Sequence, residues 1–133
     1  MADFPEQDHS NTELKKIYSQ ISSHCLKNYP FESGGYVKKD FSVHFFDSIK
    51  PSCFFYLPNH LFYLDIINNK KDILFAFHSH VSFEDASKED LKFIKLYNID
   101  SVIYIMNSRK FLSVNTRYEK SYFSWSTESV QKE

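Results

Sequence analysis

Two histidines one residue apart, His78 and His80, end an apolar run and are followed by a polar loop that leads to Ser87 and Asp90. Alternate residues of a strand point the same way, so both imidazoles share one side, roughly 6.5 Å apart along the backbone. From there both ring nitrogens can converge on one zinc ion at about 2.0–2.1 Å. The chemistry this spacing offers is metal ligation and, with a position left open at the metal, hydrolysis.

The third ligand is open on local grounds. Ser87-x-x-Asp90 ahead of an apolar run also has the form of a capping box, which needs no metal. Helical phase weighs between the two. At 100° per residue, Leu91, Phe93, Ile94, Leu96 and Tyr97 define an apolar face centred close to Asp90. Lys88, Lys92 and Lys95 fall opposite, with Glu89 at the margin. Asp90 is therefore expected to point inward from the first turn of a packed helix, where a buried carboxylate needs a cation or a strong donor. Glu84 and Asp85, in the loop, compete as third ligands, although nothing in the pattern turns them inward.

The element that must present the histidines is Ile73 to Phe77, apolar on both faces as a central strand is. Upstream, Leu14, Ile17, Tyr18, Ile21 and Cys25 recur at three- and four-residue intervals and predict a first helix. Ser10 and Glu13 have capping-box spacing at its start, and Pro30 ends it near Asn28. His24, on the flank of the stripe, reads as structural. The two glycines, Gly34 and Gly35, are adjacent. The local pattern favours a tight helix-to-strand turn over close backbone approach to a neighbouring strand or ligand, with Glu32 projecting beside it.

Phe41 to Ile49 reads as a strand after a turn at Asp40, so residues 34–49 form a hairpin with His44 as a surface histidine. Cys53 to Leu57 is a further extended segment. Pro58 opens a short helix that ends at Asn68-Asn69, with His60 in its first turn read as structural. Beyond the Ser87–Tyr97 helix, Ser101 to Met106 and Phe111 to Asn115 are strands about a turn. Ser121 to Ser126, which contains Trp125, adds an edge strand. Residues 1–11 are expected as a flexible tail, 12–126 as a single domain and 127–133 as a polar tail. The order implies an α/β (α+β sandwich) architecture, a mixed, curved sheet flanked by helices.

Composition narrows the function classes. The chain has 133 residues, a formal net charge of -1 from 16 basic and 17 acidic residues, and an unusually aromatic content of 14 Phe and 9 Tyr. That balance carries no electrostatic footprint for nucleic acid or an anionic membrane. Two cysteines in no paired motif argue against a disulfide framework or a thiolate zinc site. With no signal-peptide core and no run long enough to span a membrane, a cytoplasmic protein is expected.

Glu32, His78, His80, Ser87 and Asp90, in that order, resemble the signature of the JAMM (JAB or MPN+) zinc metalloproteases: an upstream glutamate, His-x-His, a loop and Ser-x-x-Asp. Glu32-Ser33-Gly34-Gly35 is similar to the Glu-x-Cys-Gly of small bacterial and phage-tail members, with Gly34 in place of the cysteine. Val81 and Ala86 stand where the family usually has prolines, and the loop between His80 and Ser87 is one residue shorter than is common. The resemblance spans roughly Thr12 to Trp125 and implies the JAB/MPN, cytidine-deaminase-like fold. It further implies one Zn2+ per chain held by His78, His80 and Asp90, with Glu32 as general acid and base and Ser87 as an oxyanion donor. The implied substrate is a ubiquitin-like protein or its conjugates, cut after the C-terminal glycine, with E1- and E2-like enzymes as partners in an antiphage or sulfur-carrier system. Gly34, Gly35 and Val81 are candidate contacts for its tail. The alternatives are a phage-tail or cell-wall peptidase and a metal-free MPN scaffold.

Overall fold

Apolar periodicity places a helix on one face of a sheet, and the opposite face is left for two more. The computed structural model describes residues 8–46 and 60–124, with side chains for 12–46 and 61–124. In chain order the elements are α1 (Asp8–Lys27), β1 (Gly34–Lys38), β2 (Val43–Phe45), α2 (His60–Asn68), a 3₁₀ turn (Lys70–Asp72), β3 (Ile73–His80), α3 (Lys88–Tyr97), β4 (Ser101–Ile105), β5 (Lys110–Val114) and β6 (Lys120–Phe123).

The strands form one six-stranded sheet in the order β2-β1-β3-β4-β5-β6. Every pair is antiparallel except β3 and β4, which run parallel. A parallel pair needs a crossover, and α3 supplies it. This connection brings the C-terminal end of β3, with its two histidines, next to the N-terminal turn of α3.

On one face, Leu14, Ile17, Tyr18, Ile21 and Cys25 of α1 are at most 2% exposed and pack against Val37, Phe75, Phe77, Val102 and Tyr104. Each large aliphatic side chain buried in this way stabilises the fold by about 1.5–3 kcal/mol. On the other face, Tyr36, Ala76, Ile103 and Ile105 pack against Phe62 and Ile66 of α2 and Ile94 of α3. Residue parity along β3 puts His78 and His80 on the face of Ala76, under α2 and α3. The mixed α+β architecture expected from the sequence is present among the described residues.

Several local expectations change. The helix α1 starts at Asp8, inside the segment expected as a tail. Gly34 and Gly35 are not a turn; both lie in β1. The reason is close approach. A Cβ at Gly35 would stand 2.0 Å from the His44 carbonyl oxygen and 2.9 Å from the Phe45 Cα, both backbone atoms of β2. Leu96 is 72% exposed and lies off the apolar face of α3. The hairpin turn at Asp40 is made as expected: its Oδ1 accepts from the Ser42 N–H at 3.0 Å and the Ser42 hydroxyl at 2.7 Å. Strand residues expected at 47–49, the Cys53–Leu57 segment, the Pro58 helix start and Trp125 lie outside the described residues.

The Gly35 contact makes a direct prediction. Gly35→Ala should destabilise the chain by about 1–3 kcal/mol, the usual cost of forcing extra volume into a packed site. This would be read as a lower denaturant midpoint at unchanged slope. An unchanged midpoint would mean that β1 and β2 do not approach this closely.

Candidate metal centre

Three ligand-type side chains meet where β3 ends and α3 begins. His78, His80 and Asp90 have nitrogen and carboxylate oxygen atoms within 4.8 Å of one another, and the group could hold a metal ion. His78 Nε2 lies 2.9 Å from Asp90 Oδ1, His80 Nε2 lies 3.4 Å from Asp90 Oδ2, and the two Nε2 atoms are 3.2 Å apart. Bonds of about 2.0–2.1 Å in a tetrahedral site put neighbouring ligand atoms ~3.3 Å apart. The three separations lie close to that value, with the two histidines facing different oxygens of Asp90. Two histidines and a carboxylate gathered at this range are a donor set that could hold a metal ion.

Two of the three, His80 and Asp90, are held from behind. The His80 ring donates from Nδ1 to the Phe83 carbonyl oxygen at 3.2 Å, which turns Nε2 toward the cluster. Asp90 is fixed by the capping box. Its Oδ2 accepts from the Ser87 N–H at 2.8 Å, and the Asp90 N–H donates to Ser87 Oγ at 3.1 Å. Cap and ligand are thus one arrangement: the cap secures Oδ2 and leaves Oδ1 facing His78. Asp90 is 8% exposed and His80 is 6% exposed.

The electrostatics match this picture. Burial alone would push the His78 pKa down. The adjacent Asp90 carboxylate, with Glu32 adding to it, outweighs that and leaves it above its ordinary value. Burial likewise works to raise the Asp90 pKa, yet His78, His80 and the Ser87 N–H hold its carboxyl well below the usual carboxylate range. A carboxylate kept ionised in a desolvated site calls for positive charge beside it.

Glu32 and Ser87 line the same cavity as the three ligand-type residues, a space of about 620 Å³. A feature absent from the motif holds Glu32 there. The Ser33 N–H donates to Ser79 Oγ at 2.9 Å, and the Ser79 N–H donates to the Ser33 carbonyl oxygen at 2.9 Å. This reciprocal pair clamps the residue after Glu32 to the residue between the two histidines. Ser33 and Ser79 are 1% and 0% exposed. The one signal that could have found Ser79 is a hydroxyl between the two histidines, on the strand face that carries Phe75 and Phe77.

The rival ligands are excluded by their partners. Glu84 pairs with Lys110 at 3.2 Å and Asp85 with Lys120 at 2.5 Å, with both carboxylates at the surface. Lys110 and Lys120 keep the two carboxyl groups below the usual range. Two basic residues from β5 and β6, remote in sequence, draw the loop acids away from the histidines. The Tyr122 hydroxyl, which donates to the Glu84 carbonyl oxygen, ties down the same loop.

The candidate substrate contacts divide. Gly34 sits opposite His78 in the β1–β3 register, whereas Gly35 is taken up by β2. Val81 packs on the α1 side of the sheet, and its carbonyl oxygen accepts from the Asn107 N–H at 2.9 Å. It does not line the cavity. His24 stacks on Phe45 with ring centroids 4.0 Å apart, a structural role as expected.

No family model matches the chain, and no curated protein matches it. Among solved structures it is similar to protein DSY2949 from Desulfitobacterium hafniense, with a TM-score of 0.51 and 14% sequence identity over 83% of this chain and 87% of that one. At that identity the likeness concerns the fold alone. No described helix is long and apolar enough to cross a membrane.

Proposed function

We propose that this chain is a zinc-dependent peptidase or isopeptidase of the JAMM type on a JAB/MPN fold. One observation carries the reading: His78, His80 and Asp90 bring their ligand atoms within 4.8 Å of one another on a cavity that Glu32 and Ser87 also line. Two histidines and a carboxylate are the ligand set of a catalytic rather than a structural zinc, because they leave a position for water. Zinc, when bound, supplies Lewis acidity and brings the pKa of water to about 7.

The chain's own residues supply the rest. Glu32 is placed to take a proton from the attacking water and return it to the leaving amine. The Ser87 hydroxyl accepts from the Asp90 N–H and so keeps its own proton to donate toward the oxygen on which negative charge develops. Water adds to the amide carbonyl, the C–N bond breaks, and the proton held by Glu32 ends on the nitrogen.

The substrate carried by the resemblance is a ubiquitin-like protein cut after its C-terminal glycine. A peptidase of the phage-tail or cell-wall kind is the second reading, and the roomy aromatic cavity favours it, because a glycine tail has no side chain to fill such a space.

The purified chain should carry about one zinc, consistent with a single site of the fit described. Removal by a chelator should abolish peptide hydrolysis, and zinc should restore it. Retained hydrolysis in the metal-free protein would overturn the proposal.

A further inference from the structure

We infer that the part of the cavity between α2 and α3 is a subsite for a bulky apolar, preferentially aromatic, side chain of a neutral peptide substrate. The inference rests on the hydrolase reading for its biological meaning, but the binding it asserts can be measured without turnover.

The sheet makes the room. Ala76 and Ser101 are register partners on β3 and β4, so two small side chains lie side by side on the floor of the cavity. Farther along the same face β4 carries the larger Ile103 and Ile105. The walls are aromatic: Phe62 and Tyr63 from α2 and Phe93 from α3. Their rings are splayed rather than closed over one another. Phe62 and Phe93 centroids are 6.2 Å apart at 31°, and Phe62 and Tyr63 are 5.4 Å apart at 81°. Phe62 is itself buried in the core, so the half-buried rings of Tyr63 and Phe93 are the ones an incoming ring could meet in tilted or edge-to-face geometry.

Size and charge define the class. The whole cavity, the histidine end included, measures about 620 Å³, within the ~300–1,000 Å³ of pockets that enclose a small ligand, so the part between α2 and α3 has room for one side chain. Among the described residues that line it, the ionisable groups besides the histidines include Glu32, Glu89 and Asp90, and none is a lysine or an arginine. A phosphate or carboxylate group would find no lysine or arginine counter-charge on these described walls. A glycine side would leave apolar surface without contacts. A neutral apolar ring satisfies the walls, and its backbone is then carried toward His78 and Asp90 at the other end of the same cavity.

The test titrates N-acetyl-phenylalaninamide, N-acetyl-glycinamide and N-acetyl-lysinamide into the full chain with one equivalent of zinc, followed by NMR. The phenylalanine compound should shift the Ala76 methyl and Phe93 ring resonances and bind at least ~10-fold more tightly than the glycine compound. Tyr63→Ala should weaken it severalfold at unchanged zinc content. Equal binding of the phenylalanine and glycine compounds, tightest binding of the lysine compound, or shifts confined to other residues would overturn the subsite. The same preference in a chain that takes up no zinc would leave the subsite standing and remove the hydrolase reading, so the two can fail separately.

Discussion

Glu32→Gln is expected to keep its zinc and to lose hydrolysis by about 10²–10⁴-fold, the usual contribution of a positioned general acid and base. That range corresponds to about 2.7–5.4 kcal/mol of transition-state stabilisation. The amide is nearly the same size as the carboxylate, so the Ser33–Ser79 clamp and the three ligand-type residues should be undisturbed. The measurement is paired: metal content per chain, and turnover of neutral peptide amides followed by mass spectrometry. Activity within a few-fold of the parent would remove Glu32 from the proton transfers. Loss of zinc would instead make Glu32 a ligand and require a different base. The pairing is needed because Glu32 lines the cavity close enough for its charge to raise the His78 pKa.

Asp90→Asn separates two roles that one side chain performs. The asparagine carbonyl can still accept from the Ser87 N–H, so the capping box and the start of α3 should survive. The negative charge facing His78 is lost. Partners that merely orient a ligand already contribute ~10–100-fold to metal affinity, and loss of the ligand itself should exceed that. The parent chain should gain about 2.7 kcal/mol of stability at zinc a hundredfold above its Kd. In a domain of this size that is a rise of about 10 °C in Tm. The Asp90→Asn variant should show little or no zinc-dependent rise, and its zinc-free Tm should fall below that of the parent because the charge pairing with His78 is lost. An equal zinc response in both would exclude Asp90 as a ligand. Asp90→Ala, which also removes the cap acceptor, should lower the zinc-free stability by a further ~1 kcal/mol.

The inward phase of Asp90 was readable because 100° per residue fixes which side of α3 a residue occupies, and the strand period does the same for His78 and His80. The first-helix stripe from Leu14 to Cys25 was readable for the same reason. Leu96 shows the limit of this reading: it lies close to the apolar arc, yet the packed fold leaves most of it in solvent. Glu84 and Asp85 show another. Their chemistry suits a metal as well as that of Asp90 does, but in the fold their carboxylates meet Lys110 on β5 and Lys120 on β6 at the surface. Those partners are set by strand register, which local pattern does not encode.

By itself, then, the sequence determined the types of most elements, the shared face of the two histidines, the cap at Ser87 and the inward direction of Asp90. All follow from backbone periodicity over a few residues. The tertiary structure decided what distant pairing alone can decide. It showed that β2 backbone requires Gly35, that the Ser33–Ser79 clamp brings Glu32 to the histidines, and that small floor residues leave an aromatic chamber beside them. Each of these depends on atoms from segments far apart in the chain, whose positions are set only once the sheet order and register are made.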